Sequence, residues 1–463
     1  MNDLNQRFQD FKEKIAPSFD FATRYLCIQN THVYLLFLSS LTDSKLLSYL
    51  VESVVITASH DVELTVYPAA VEKTADENKA IIAILSGQCV LLCENSDAYY
   101  IIETRQYPSR TTAEPEVERS VRGSHDGFVE NFLLNVGLVR RRVRDPKLKC
   151  ILRQGGKKTH CDIAYMYIED LVDVDVLDDF TSRLSLLDDA EILNERNLVE
   201  ELYGKTLNPY PHVRYSERPD VCATHLLQGY LLVFVDNSPS IIILPTTFFE
   251  QIKQVEEYTQ TTLVAFFTRI IRIIGILFSL YLLPLWVALM MDQNPTMLKI
   301  PIQEVRLFAF AIQVLLADIA VEWIRQSLIH TPSILSSIMS FIAVFLLGDM
   351  AISLGAYSEE ILIMVAPCNI GNLLTPSYEL SMANKVFRIM STMITLVLVL
   401  SFIFPYCFQP KQSNILIYIL SFLFLIKNVN DCYLVRRFIY PNIKNHHRSS
   451  ACCFFCCGGI IML

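Results

Sequence analysis

The chain has 463 residues and a formal net charge of −9, with 52% hydrophobic and 19% charged side chains. The acidic balance argues against a nucleic-acid partner. A mean hydropathy of +0.35 is high for a soluble protein and fits a chain that is part water-soluble and part membrane-embedded.

The opening MNDLNQRFQDFKEK is polar and charged, which is not the pattern of a secretory signal peptide. A large N-terminal region of this kind is expected to stay in the cytoplasm. Among the 13 cysteines, Cys89, Cys161 and Cys407 stand alone among apolar neighbours and read as small buried hydrophobes rather than disulfide partners.

Residues 1–110 read as a first α/β subdomain. RYLCIQNTHVYLLFLSS predicts two strands around Asn30-Thr31, and Asp43 can cap a helix running to Val54. AIIAILSGQCVLLCENSDAYYIIE, from Ala80, predicts a hairpin turning near Asn95-Ser96. Residues 111–146 form a linker. Gly123 and Gly127 break its pattern around Arg122 and Asp126, and Phe128 to Val143 reads as an amphipathic helix ended by Arg140, Arg141, Arg142 and Arg144. Two readings stand for that basic end: an ordered joint touching both subdomains or a neighbouring subunit, or a solvated helix terminus.

Residues 147–262 repeat the order of the first subdomain. KLKCILRQGGKKTHCDIAYMYIED predicts two strands across Gly155-Gly156, and Asp173 can cap a helix to about Leu187. NPYPHVRYSERPD reads as a stiff proline-punctuated connector. HLLQGYLLVFVDNSPSIIILP predicts a second hairpin turning at Asn237-Ser238. Leu85-Ser86-Gly87 aligns with Leu227-Gln228-Gly229, and Leu41 and Asp43 align with Leu171 and Asp173, so the subdomains read as related, an old duplication being one origin.

Residues 263–430 read as a helical membrane domain. LVAFFTRIIRIIGILFSLYLLPLWVALMM, Leu263 to Met291, is long and apolar enough to span, with Arg269 and Arg272 placed to snorkel to headgroups. Further apolar runs are Leu307–Ile324, Ile334–Leu354, Ile361–Leu374, Ile389–Phe408 and Ile415–Leu425, giving four to six spans. Basic residues at both ends place both termini on the cytoplasmic side. Pro367, Asn369 and Gly371 suggest that Ile361–Leu374 is broken or re-entrant.

Asp318 and Glu322, four residues apart on one helix face, and Asp349 are carboxylates in apolar runs. They should face protein or water, and in an oligomer they could form carboxylate rings lining a cation pore. The alternatives are an internal pair of Glu322 with Arg325, or a helix lying at the interface. The tail of residues 431–463 is basic and rich in cysteine. Cys452, Cys453, Cys456 and Cys457 have a zinc-like spacing in apolar surroundings, which reads as a membrane-associated or flexible tail; no metal or cofactor is expected. No nucleotide-binding, zinc-protease or serine-hydrolase signature occurs, so no enzyme is expected.

The succession EPEVERSVRGSHDGFVENFLLNVGLVRRR, DIAYMYI, NPYPHVRYSERPDVCATHLLQGYLLVFVDNSPSIIILPTTFFEQ and the arginine-flanked span resembles the GerA family, the A subunits of bacterial spore germinant receptors. SVRGSHDGFVE and LTPSYELSMANKVFRIM are most similar to its stage V sporulation protein AF branch. The resemblance covers about residues 110 to 408. It implies a multi-pass protein of the spore inner membrane, oligomerisation, other spore membrane proteins as partners, and a part in ion movement during germination. Arg122, Gly123, Asp126, Gly127, Glu217, Arg218, Pro219 and Asp220 fall on family motifs and are expected to hold subdomains together. Asn237, where the family often has glycine, and the cysteine tail depart from the pattern. The fold class expected is an α/β region of two related subdomains followed by an all-α polytopic membrane domain. Its function would be that of a cation-channel subunit, or of a non-conducting scaffold or signal transducer; a small-solute transporter, suggested by the Asn369-Gly371 segment, lacks the inverted repeats that would support it.

Overall fold

The computed structural model describes residues 2–291, 307–329 and 351–403, less 16, 29, 57–61, 65–69, 95, 107–117, 119–122, 188–189, 205–207, 255–256, 258–259 and 354–356. Arg122, Asp349, the Asn95 end of the first hairpin turn, the run Ile334–Leu354 except Ala351–Ser353, the run Ile389–Phe408 beyond residue 403, the run Ile415–Leu425 and the cysteine tail lie outside the described residues.

The first subdomain runs α1 (Asn2–Ile15), β1 (Phe21–Ile28), β2 (Thr31–Leu38), α2 (Ser44–Ser53), β3 (Val54–Ile56), β4 (Val62–Leu64), β5 (Val71–Thr74), α3 (Glu77–Leu85), β6 (Cys89–Cys93) and β7 (Tyr99–Ile102). After the linker helix α4 (Phe132–Arg140), the second runs β8 (Leu148–Gly155), β9 (Cys161–Ile168), α5 (Val174–Leu184), α6 (Glu195–Tyr203), β10 (Arg214–Ser216), α7 (Pro219–Leu227), β11 (Leu231–Val235), β12 (Ile241–Leu244) and α8 (Phe248–Ile252). Asp43 and Asp173 cap α2 and α5 as expected, each accepting from the backbone N–H two residues on, at 2.8 and 3.0 Å.

Each subdomain holds one five-stranded antiparallel sheet, and the strand orders correspond: β1-β2-β6-β7-β5 and β8-β9-β11-β12-β10. The alternation of each strand divides its side chains between two helix-covered faces. Ala164, Met166, Leu232 and Phe234 join the core with α4 and α7, while Ile163, Tyr165, Val233 and Val235 join the core with α5 and α6. The expected pairing of Gly87 with Gly229 has a backbone reason. Both follow a helix at positive φ (+91° and +86°), and a Cβ there would stand 2.9 Å from the Leu41 carbonyl and 2.4 Å from that of Leu171.

Several sequence readings need correction. Ala80–Leu85 belongs to α3, and His225–Leu227 to α7, so the hairpins are shorter than their apolar runs. A run buried on all sides does not distinguish strand from helix, and Asp76 caps α3 just ahead of it. The Asn208–Asp220 connector contains β10, and Pro219 opens α7, where a missing N–H costs nothing. The linker helix starts at Phe132, capped by Asn131, not at Phe128.

The basic end of that helix is a joint, not a solvated terminus. Arg140 and Asp20 are 1% and 0% exposed. The guanidinium donates to both Asp20 oxygens (2.7 and 2.8 Å), to Ser18 (3.1 Å) and to the Leu148 carbonyl (3.2 Å), tying the first subdomain, the linker and the second subdomain together. Beyond α8 come α9 (Thr262–Leu277), a π-helical turn (Phe278–Leu282), α10 (Leu283–Met291), α11 (Leu307–Ile329), α12 (Glu359–Leu373) and α13 (Tyr378–Ile403). Among the described residues one helix, Thr262–Val287 with mean hydropathy 2.2, is long and apolar enough to cross a membrane. The expected break at Ile361–Leu374 is absent: α12 continues through Pro367.

Removing one partner of a buried ion pair strands the other, at about 3–5 kcal/mol. Asp20→Ala should therefore lower the unfolding free energy by that order, and Asp20→Leu with Arg140→Met should recover much of it; denaturant unfolding followed by circular dichroism measures both. Glu250 gives a pH prediction. Burial pushes its carboxyl up, but His225 and Lys253 outweigh burial and leave it lowered from 4.5 to about 2. That contribution is complete above pH 4.5 and lost as pH falls toward 2, so the acid side of the wild-type stability curve should be steeper than that of Glu250→Gln by about 3 kcal/mol in total.

Candidate functional site

The charged groups of the helical region are arranged in two layers. The first lies at the start of α9. Arg272 is 4% exposed and donates to the Ile252 carbonyl (2.9 Å), to Gln254 and to Glu257; Arg269 Nε donates to the other Glu257 oxygen at 2.9 Å. Both arginines have protein partners, and Arg269 keeps 39% of its side chain exposed. They are fixed to the segment that leaves α8.

The second layer is a fully buried cluster. Asp318 on α11 and Arg388 on α13 are 0% exposed, and Lys385 is 1% exposed. Lys385 Nζ donates to Asp318 Oδ1 (2.8 Å), the Asp318 carbonyl (3.0 Å) and Asn369 Oδ1 (2.7 Å), which accounts for its three protons. Arg388 donates to Asp318 Oδ2 (3.1 Å) and Oδ1 (2.7 Å), Asn369 Oδ1 (2.9 Å), the Ser279 carbonyl (3.1 Å) and the Cys368 carbonyl (2.9 Å). Asn369 Nδ2 returns a bond to Asp318 Oδ1 at 3.1 Å. One carboxylate thus neutralises one of two cations that α13 places three residues apart, and the polar groups of α12 and the π-helical turn take the remaining donors.

Backbone geometry makes this meeting possible. The π-helical turn includes Ser279, whose carbonyl and hydroxyl both accept from Arg388. One turn earlier, α9 crosses α12 at Gly275 and Gly371. A Cβ at Gly371 would lie 2.1 Å from the Gly275 carbonyl, so the two backbones touch directly.

Asp318 is therefore the shared anion of a cluster inside the subunit, not a free carboxylate on a helix face. Glu322 accepts from Arg325 (2.8 and 3.0 Å) and Gln326 (2.9 Å), the internal-pair alternative of the sequence reading. Lys385 and Arg388 were missed as site residues. Their signal was two cations at i, i+3 immediately before an apolar run, a pairing that demands an anion from elsewhere.

The family-motif residues gather elsewhere. Arg218, 0% exposed, holds Asp220 (2.8 and 3.0 Å) and donates to the carbonyls of Glu118 (3.1 Å) and Ser124 (2.7 Å). Asp126 accepts from Arg142 (2.6 Å), and the Glu217 carbonyl accepts from Phe128 N (2.9 Å). Gly127 is buried beside them, Gly123 takes φ +123°, and Pro219 starts α7. Together they fasten the linker to the second subdomain, while the joint to the first subdomain is Arg140. No group of three or more His, Cys, Asp or Glu side chains suited to a metal occurs among the described residues.

Two like-ordered α/β sheets leading into a membrane-length helix, with further helices wrapped on a buried cation–carboxylate cluster, define a two-part protein with an α/β region and a helical region. The sequence matches the family model of the Bacillus/Clostridium GerA spore germination protein over residues 9–409, and the chain belongs to that family. It is 36% identical to stage V sporulation protein AF of Bacillus subtilis (strain 168) over 394 residues, 82% of this chain and 80% of the relative. It is 26% identical to spore germination protein KA of the same organism, over 83% of this chain and 74% of that one. A crystal structure of the N-terminal domain of the A subunit of the Bacillus megaterium spore germinant receptor GerK3 matches at a TM-score of 0.40 and 23% identity, over 53% of this chain and 95% of that domain.

The glycine crossing supplies a graded test. Gly371→Ala drives a methyl into backbone and should destabilise the detergent-solubilised protein by about 1–3 kcal/mol. Gly275→Ala meets first the Leu374 side chain at 2.5 Å, which can move, and should cost less. Thermal unfolding of the two variants checks the order.

Proposed function

We propose that this chain is a multi-pass protein of the spore inner membrane, with its α/β region in the cytoplasm, and a subunit of an oligomeric cation channel that contributes to ion release in germination. The observation that carries the reading is the Asp318–Lys385–Arg388–Asn369 cluster. Ionised groups in apolar helices are costly, and a well-packed apolar core would hold the helices at least as firmly, so their presence argues for function. The cluster joins α11, α12 and α13 to the π-helical turn, and α9 runs back from that turn to Glu257 and the second sheet. Movement of the α/β region therefore has a stiff route to the helices. With one carboxylate against two cations, the cluster carries a net positive charge and repels cations. The conducting path then runs outside it, between subunits, and the cluster sets how the lining helices are packed.

The second reading is a non-conducting scaffold or signal transducer that binds other spore membrane proteins through its α/β region. It is favoured by the commitment of Asp318 and Glu322 to partners within the subunit. Purified protein in liposomes separates the two: a cation flux supports the channel, and a silent but folded oligomer supports the scaffold. In spores, Asp318→Asn with Glu322→Gln should slow cation release several-fold while the protein still reaches the membrane. Release at the wild-type rate would remove the cluster from the conduction mechanism.

A further inference from the structure

The start of α13 meets the second subdomain in two ways: Leu380 and Ala383 pack in an apolar cluster with Tyr210 and Ile252, and beside that cluster lie two adjoining cavities of about 240 and 550 Å³. Arg196 of α6, Tyr215 of β10, and Tyr378 and Glu379 of α13 line both. Glu379 stands ten residues ahead of the apolar run beginning at Ile389, so it faces the α/β region rather than the interior of the helices.

The charges around Glu379 are unbalanced. The cavity walls carry five carboxylates, Glu118, Glu195, Glu200, Glu217 and Glu379, against the guanidinium groups of Arg196 and Arg214. Arg196 is paired with Glu200 at 3.2 Å, and Arg214 donates to the carbonyls of Glu250 and Lys253 at 2.6 and 3.3 Å. Arg325, stacked 5.4 Å over the Tyr378 ring, is held by Glu322. His212 stacks on Tyr203, and Glu195 is held by the Ser238 hydroxyl. These cations hydrogen-bond or stack elsewhere, Arg196 acting on Glu379 only through space, while Glu195 and Glu379 face one cleft from opposite sides.

We propose that Glu379 is a proton-binding switch at the joint between the α/β region and α13. Protonated, it allows the first turn of α13 to dock against α6 and β10. Ionised, it repels Glu195 and loosens the docking. Burial pushes its carboxyl up, Arg196 pulls it back and Glu195 pushes it further, so that it rises from the ordinary 4.5 to about 7. The docked form consequently binds more protons than the open one. Docking is strongest below pH 4.5, weakens as pH rises toward 7, and is level above that. A displacement of this size alters the docking equilibrium about a hundredfold or more across the window. The proposal does not depend on whether the protein conducts ions.

Hydrogen–deuterium exchange of the full-length protein in detergent, corrected for the intrinsic pH dependence of exchange, reads the docking. Protection of the α6 amides should fall as pH is raised from 5 to 8, while the central strand β11 stays protected. Glu379→Gln should stay protected throughout, and Glu195→Gln should move the transition to lower pH. The proposal is overturned if wild-type α6 protection is flat with pH, if Glu379→Gln keeps the wild-type transition, or if β11 loses protection together with α6.

Discussion

A carboxylate with no exposure to solvent governs the helical half of this protein. Asp318 can remain ionised out of water only because Lys385 and Arg388 close on it from one side and Asn369 from another. Lys385 and Arg388 share a helix face, and without the anion they would repel each other in a medium of low dielectric. The three helices and the π-helical turn are thus fixed by one set of mutual requirements. Changing any member leaves a buried charge or donor without its partner.

The same logic operates between the subdomains, with a different outcome. Arg140 and Asp20 are as deeply buried, and their lone pairs and protons are satisfied by Ser18, Ser40 and a backbone carbonyl. This pair is balanced and self-contained, so it behaves as a fixed joint. The charge at the α13 cleft is not balanced, and the cluster at Asp318 is balanced only in part. Rigidity is therefore concentrated within the α/β region, and the groups able to respond lie where that region meets the helices.

A continuous mechanical line follows. The second sheet is followed by α8, whose Ile252 carbonyl accepts from Arg272 of α9, and Glu257 holds both Arg269 and Arg272. That helix passes the Gly275–Gly371 contact and opens into the π-helical turn, whose Ser279 carbonyl is bound by Arg388. Each step is a direct contact between stiff elements. The cleft at Glu379 is a second contact of the same subdomain with α13, so the α/β region touches this helix by two routes.

The sequence by itself determined the division of the chain, the two related α/β subdomains with their capped helices, the membrane-length helix and the family. These depend on local pattern: aspartates that cap, glycines that must take positive φ, and alternation that sorts one sheet face from the other. It misplaced the ends of the hairpins because a uniformly apolar run has no period to read. It also singled out Asp318 and Glu322 and offered Arg325 as a partner of Glu322, but it named no partner for Asp318, because Lys385 lies 67 positions further along the chain. Only the tertiary structure decided which charges are partnered. Electrostatic energy depends on distance through space, and the folding of the helices brings Lys385 and Arg388 to Asp318 and leaves Glu379 facing Glu195.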